Sequence, residues 1–154
     1  MKYILLSFFI STSFLQDFDE LYFGTDDALD VLTWNIEWFP KNGEITVDYV
    51  TQIIEVLDMD ILAIQELDNT ASFTQMLDNL IGYEGYFESS WFAGLAYIYK
   101  TDTIQINDIY EIYTTSEYWS AFPRSPMVMD MNFMDENYII INNHFKCCGD
   151  DNMN

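Results

Sequence analysis

The spacing of apolar residues along this chain changes period in a definite order, and that order restricts the fold more than any other feature. Two strand-like runs are each followed by a helix-like run, and after Gly82 only strand-like runs occur. The first two strands are predicted at Ala28 to Ile36 and Asp60 to Glu66. Because repeated strand–helix units pack helices on a sheet, the sequence predicts an α/β layered domain that becomes antiparallel toward its later strands.

Two amphipathic helices are predicted between these strands and after them. The first, from Val47 to about Leu57, has its apolar residues at helical spacing: Val47, Val50, Ile53, Ile54 and Leu57. Asp68 or Asn69 can cap the second, since short polar side chains accept from the exposed N–H groups of a first turn. Its apolar stripe is Phe73, Met76, Leu77, Leu80 and Ile81.

The later strands are predicted from runs rich in aromatic and β-branched residues. They are Tyr86 to Trp91, Gly94 to Lys100, Ile104 to Tyr113, Pro126 to Phe133 and Tyr138 to Phe145. Residues 134–137 form the predicted turn of a hairpin between the last two. A length of 154 residues suits one domain. From the order of strands and helices we expect this domain to have one mixed sheet that carries two helices.

The charge balance limits the partners of the protein. Five Lys and Arg residues stand against 26 Asp and Glu residues, which gives a formal net charge of −21. Nonspecific adhesion to nucleic acid or to anionic lipid needs a basic face, so the composition excludes it. Any polyanion would have to be bound locally, with the help of a metal ion.

The first residues resemble an export signal. A short positive start precedes an apolar stretch, Tyr3 to Phe14, that is too short to span a bilayer. We interpret residues 1–16 as a signal peptide and residues 27–154 as the folded domain. A buried first strand and an uncleaved anchor are the alternatives. The first interpretation predicts a secreted or periplasmic protein with no stable membrane association after cleavage.

The two cysteines, Cys147 and Cys148, are adjacent in the sequence. Neighbouring cysteines close a bridge to each other only with strain. Partner cysteines beyond residue 154 and a free thiol pair are the alternatives, and a zinc site is the least favoured because it needs further ligands.

Polar residues that can carry chemistry fall at the predicted strand ends, where loops over a sheet edge usually assemble sites. They are Asn35, Glu66, Arg124, Asn142 and His144. His144 is the only histidine and titrates near neutral pH, although a lone histidine can also serve only as a hydrogen-bond donor at a strand end.

The order of these motifs resembles the endonuclease/exonuclease/phosphatase superfamily, which is built on the pancreatic deoxyribonuclease fold. The motifs are Thr33-Trp34-Asn35-Ile36, Ile64-Gln65-Glu66, Gly94 to Lys100, Arg124-Ser125-Pro126 and Asn142-Asn143-His144. Each motif is weak alone. Their order and spacing together carry the resemblance, which extends from about Leu29 to Lys146.

The resemblance implies metal-dependent hydrolysis of phosphate esters. Glu66 would bind the metal with Asn35 beside it, and the metal would be Mg²⁺, with Mn²⁺ or Ca²⁺ as alternatives. Arg124, His144 and Asn142 are the implied catalytic residues: Arg124 would contact the phosphate or brace the site, and His144 would donate to a phosphoryl oxygen. The implied substrate is a phosphate ester, with nucleic acid favoured.

Two signatures of the superfamily are missing, a strand end with Asp-x-Asn and a terminal Ser-Asp-His. Residues 150–152 read Asp-Asp-Asn but follow His144 too closely to leave room for the intervening strand. We therefore expect a deoxyribonuclease-type sandwich truncated to its first half, nearly inactive and marginally stable alone, with one sheet face uncovered. The oligomeric state is left open.

The predicted function of the whole protein is that of a secreted nuclease or phosphodiesterase. One alternative is a phosphatase, or a phospholipid or sugar phosphodiesterase, of the same superfamily. The other is a non-catalytic acidic secreted module that binds a partner or divalent cations.

Overall fold

The computed structural model describes residues 21–88 and 93–145. In this part of the chain there are seven strands and two helices: β1 (Val31–Phe39), α1 (Glu44–Leu57), β2 (Ile61–Leu67), α2 (Thr70–Asn79), β3 (Tyr83–Phe87), β4 (Gly94–Lys100), β5 (Gln105–Glu111), β6 (Met127–Phe133) and β7 (Glu136–Asn142). This is the predicted order of elements. The predicted signal peptide, Trp91, Lys146 and the two cysteines lie outside the described residues.

The boundaries differ from the predicted ones where polar residues belong to an element. Helix α1 begins at Glu44, directly after Gly43 and three residues before the predicted start at Val47. The prediction started late because Val47 is the first buried residue of the helix. Strand β1 extends to Phe39 through an irregular stretch after Asn35. Helix α2 is capped by the Asn69 side chain, which accepts from the backbone N–H of Ser72. Neither described helix is long and apolar enough to cross a membrane.

The predicted α/β layered class is confirmed, but the single mixed sheet is corrected to two sheets. The first has the order β1-β2-β4-β3, with β1 and β2 parallel and the other pairs antiparallel; the second is an antiparallel β5-β6-β7 sheet. Both edges of β4 are paired, with β2 and β3, so the next strand cannot pair with β4. That strand, β5, pairs with β6 in the second sheet.

The first sheet is covered on both faces. Helices α1 and α2 cover one face, where Leu62 and Ile64 of β2 belong to the helix-side core. The second sheet covers the other face, where Ile61 and Tyr97 pack with the methionines of β6. A strand buried on both sides has no polar face, which explains the nearly continuous apolar run of β2.

The uncovered face belongs to the second sheet. Side chains on the inner face of β6 alternate with outward ones, and on the outward face of β7 Ile139 and Ile141 are about half exposed. Among the described residues nothing packs over this surface. The expectation of one uncovered face therefore applies to the β5-β6-β7 sheet.

Candidate active site

The sheet topology brings the predicted site residues to one end of the sandwich. Asn35 pairs with Gln65 across the parallel strands β1 and β2, so the carboxyl ends of both strands meet there. Strand β4 begins beside the end of β2, and Met127 at the start of β6 pairs with Asn142 at the end of β7. The Tyr97 hydroxyl donates to the carbonyl of Met127 at 2.9 Å and ties the two sheets together.

Glu66 is held by two neutral donors. Its Oε1 accepts from Asn35 Nδ2 at 3.0 Å, and its Oε2 accepts from the backbone N–H of Trp38 at 3.2 Å. The backbone N–H of Glu37 donates to Asn35 Oδ1 at 2.9 Å, which fixes the orientation of that amide. The Glu66 side chain is 16% exposed, so the carboxylate is fixed in position but still reachable.

The backbone at this point is unusual. Glu37, Trp38 and Glu66 have φ values of 46°, 54° and 65°, in the left-handed region that non-glycine residues rarely adopt. Such conformations cost free energy and often occur at functional sites. Here they occur where the β1–β2 register is interrupted, and the backbone N–H of Trp38 meets the Glu66 carboxylate there.

His144 lies against this carboxylate. Its Nε2 is 3.5 Å from Glu66 Oε1, and its side chain is mostly buried. Burial lowers the pKa of His144 below its ordinary value, the Arg124 charge lowers it further, and Glu66 opposes both. His144 Nδ1 is buried without a hydrogen-bond partner among the described residues. The contact with Glu66 assigns the proton of the neutral ring to Nε2, so this nitrogen can donate to an anionic oxygen.

Arg124 completes the electrostatic group. It precedes β6, and its Nε donates to the carbonyl of Ala93 at 3.0 Å, which orients the guanidinium. Burial lowers the pKa of Arg124 and the Glu66 charge opposes that shift. The Glu66 charge thus acts on the pKa of both Arg124 and His144, and the Arg124 charge acts on the pKa of His144. Lys100, also at the end of an apolar run, is at the opposite end of its sheet and pairs with Asp58.

Asn142 lies beneath the site. It is 2% exposed, and its Nδ2 donates to the carbonyls of Ile64 and Ala96 at 2.8 and 3.0 Å. Its Oδ1 accepts from Gln65 Nε2 at 2.7 Å. The amide is therefore fully engaged with protein groups and ties β7 to β2 and β4. The catalytic role that the resemblance implies for Asn142 stays a prediction.

Gln65 is the residue that the sequence reasoning left without a role. Besides Asn142, its Nε2 donates to the carbonyl of Ala63 at 2.9 Å and approaches Thr33 Oγ1 at 3.1 Å. The signal was present in the sequence, since a glutamine interrupts an apolar strand that is buried on both faces. Buried amides need partners, and this one links the two sheets.

The donor set fits a magnesium ion with few protein ligands. Among residues 21–88 and 93–145 there is no group of three or more His, Cys, Asp or Glu side chains that could enclose a metal. Mg²⁺ in phosphate-handling enzymes is commonly held by one or two carboxylates, several waters and substrate oxygens. Each Glu66 oxygen accepts one hydrogen bond from Asn35 or Trp38 and retains a further lone pair, as does Asn35 Oδ1, which accepts from the backbone N–H of Glu37.

Solved structures share the fold of this chain at low sequence identity. D. rerio TDP2 complexed with a single-strand DNA product has a TM-score of 0.68 and 15% identity, covering 82% of this chain and 49% of that chain. A family protein from Leptotrichia buccalis has a TM-score of 0.59 and 16% identity, covering 77% of this chain and 54% of that chain. A mannosyl-6-phosphatase from Bacteroides thetaiotaomicron has a TM-score of 0.54 and 18% identity, covering 74% of this chain and 49% of that chain. This chain spans about half the length of these structures.

No curated protein sequence matches the chain significantly. The sequence profile described as the endonuclease/exonuclease/phosphatase family matches residues 32–131, which include Asn35, Glu66 and Arg124. The matched region covers more than half of the chain and agrees with the fold and with the resemblance carried by the motifs. The chain belongs to the endonuclease/exonuclease/phosphatase family.

Proposed function

We propose that the complete protein hydrolyses phosphate esters with the help of a divalent cation. The observation that carries this proposal is the convergence of Asn35, Glu66, Arg124 and His144 at one end of the sandwich, although they are far apart in the sequence. The family to which the chain belongs contains phosphate ester hydrolases, and the acidic and basic groups at this site suit that chemistry.

The roles follow from the geometry. Glu66 would hold the cation, with Asn35 fixing the carboxylate through its amide. Mg²⁺ bound there would supply charge that stabilises the developing negative charge on phosphoryl oxygens. Arg124 would bind a second phosphate oxygen, and neutral His144 would donate from Nε2 as charge accumulates in the transition state. The lowered pKa of His144 keeps its ring neutral at neutral pH, as this role requires.

The group that takes the proton of the attacking water is not among these residues. His144 is the only histidine in the sequence, and its ring is already assigned as a donor. We therefore propose that a base from a longer parent protein completes the site, and that this chain alone is nearly inactive. General-base catalysis typically contributes a factor of about 10²–10⁴.

The export signal read from the sequence leads us to propose a secreted or periplasmic location. Two substrate classes remain in consideration. Nucleic acid is supported by the fold shared with a structure described as complexed with single-strand DNA. The net charge of −21 favours a smaller phosphate ester, because a long polyanion would be repelled by the rest of the surface.

The test is hydrolysis by the full-length parent protein with Mg²⁺, measured for Glu66→Gln and His144→Gln. Each variant should lose activity by a factor on the order of 10²–10³, as for other transition-state contacts. Glu136→Gln is a matched control, because Glu136 is an exposed carboxylate at the start of β7 and should leave the rate unchanged. Full activity in both site variants would remove the proposal. Mg²⁺ binding without any hydrolysis would favour the non-catalytic module.

A further inference from the structure

A cleft of about 210 Å³ lies beside Arg124 at the same end of the sandwich. Its walls come from the start of β4, the end of β5 and the loop between β5 and β6, and its polar lining includes Glu111, Thr114 and Ser125. Pockets for drug-sized ligands are usually about 300–1,000 Å³, so this cleft suits one small ring. Because Arg124 lines it, a group in the cleft would be adjacent to a bound phosphate.

Glu111 contributes a carboxylate to this cleft. It is the last residue of β5, pairs with Met127 across the sheet and is partly buried. Its side-chain oxygens make no hydrogen bond or ion pair with any residue of the described ranges. Burial raises the pKa of Glu111, and the Glu88 charge raises it further. A half-buried acceptor that receives no hydrogen bond from the described part of the chain is suited to donors from a ligand.

Trp119 supplies an aromatic wall to the same cleft, and the loop that carries it is well packed. The rings of Tyr113 and Phe122 stack with centroids 5.1 Å apart, and Tyr113 also contacts Tyr118 at 4.8 Å. Within the loop, the backbone N–H of Phe122 donates to the carbonyl of Tyr118 at 2.8 Å. Trp119 itself is 56% exposed, so its ring is open to a ligand.

We infer that this cleft is a subsite for the sugar ring of a sugar phosphate. Ring hydroxyls would donate to Glu111, the ring would pack against Trp119, and the phosphate would lie at Arg124. This inference rests on the proposed function and names its substrate class. It also explains how a protein of charge −21 could select a phosphate ester, since the selective contacts are made to the uncharged part of the ligand.

Other occupants fit the lining less well. A lipid chain would bury the Glu111 carboxylate against hydrocarbon without a donor, which is costly. A further phosphate of a polynucleotide would be repelled by the same carboxylate. The hydroxyls of Thr114 and Ser125 can both donate and accept, as sugar recognition requires. A nucleobase amine could also donate to Glu111, and the experiment separates that case.

The experiment is calorimetric titration of the full chain with Mg²⁺, using glucose 6-phosphate, inorganic phosphate and deoxyadenosine 5′-phosphate. We expect glucose 6-phosphate to bind about tenfold more tightly than phosphate, which corresponds to one or two good polar contacts. Glu111→Gln and Trp119→Ala should each remove most of that difference and leave phosphate affinity unchanged. Glu117→Gln is the matched control, because Glu117 is an exposed carboxylate in the same loop and bonds to Thr115.

The outcomes separate the two proposals. Equal affinity for phosphate and glucose 6-phosphate would overturn the sugar subsite and leave the hydrolase proposal intact. A Glu111-dependent advantage seen only with deoxyadenosine 5′-phosphate would overturn it in favour of base recognition. If none of the three ligands binds with Mg²⁺, the phosphate site itself fails and the subsite fails with it. A cooperative unfolding transition in each variant shows that the fold is retained.

Discussion

The two ends of the β1-β2-β4-β3 sheet both carry charged groups, but they treat them differently. At the end opposite the site, Asp60 is 3% exposed and accepts from the backbone N–H of Asp30 and from Thr103 Oγ1, at 2.9 and 2.8 Å. Lys100 Nζ lies 2.8 Å from Asp58 Oδ1 and 4.0 Å from Asp60 Oδ1. At this end two carboxylates therefore share one lysine within the protein.

At the site end, the Glu66 carboxylate accepts hydrogen bonds from two neutral donors of the described residues, the Asn35 amide and the backbone N–H of Trp38. Its side chain is five times more exposed than that of Asp60, and further lone pairs are left for a ligand. One end therefore uses charge for stability, whereas the other keeps binding capacity that the fold alone does not need.

The largest effect on stability should come from Asp60→Asn. The variant replaces one acceptor oxygen with an amide that faces an N–H or hydroxyl donor, and it removes a negative charge near Lys100. We expect a loss of about 2–3 kcal/mol in the free energy of unfolding, measured by urea denaturation of the full chain. Asp58→Asn is the control: Asp58 is more exposed, so its ion pair should contribute less than about 1 kcal/mol. Equal losses in the two variants would contradict a role for burial.

A smaller effect on stability is expected for Glu66→Gln. Its carboxylate is reachable by water, and water can replace the lost hydrogen bond, so the free energy of unfolding should change by about 1 kcal/mol or less. The measurement is the same urea titration, without metal. A loss of unfolding free energy as large as that of Asp60→Asn would show that the two ends contribute equally to stability, which contradicts this expectation.

The smallest effect concerns pH and needs only the single histidine. The folded-state pKa of His144 lies below the ordinary 6.5, so the unfolded chain binds more protons between the two values. The resulting stabilisation is fully present above pH 6.5 and is lost as the pH falls through the folded-state pKa. NMR titration of the metal-free chain reports this pKa directly. Replacing Arg124 with Gln should raise it toward 6.5, and a wild-type midpoint at or above 6.5 would contradict the assigned environment.

The class of fold and the convergence of the site followed from the sequence for a simple reason. Apolar periodicity reports which face of each element is buried, and the ends of neighbouring strands must then meet. Asn35 and Glu66 lie where the regular pairing of two parallel neighbours ends, so their contact was predictable. The division into two sheets was not, because a run such as Met127 to Phe133 has the same apolar content in either sheet.

Other details of the site could not be predicted from the sequence, because they depend on backbone conformation and on how loops fold. Periodicity carries no sign of the positive φ values at Glu37, Trp38 and Glu66. The cleft at Glu111 and Trp119 depends on how a 15-residue loop folds between two strands, residues 112–126. Such loops obey no repeating pattern, so only coordinates place their side chains together.

The amide link between Gln65 and Asn142 has a consequence for how accurately the site is built. Sliding β7 by two residues would keep its inward and outward faces unchanged but would carry His144 about 7 Å along the strand, out of reach of Glu66. Apolar contacts alone would tolerate that slip. The directional bond at 2.7 Å permits a single alignment of the two sheets and so sets the distance between the residues that must act together.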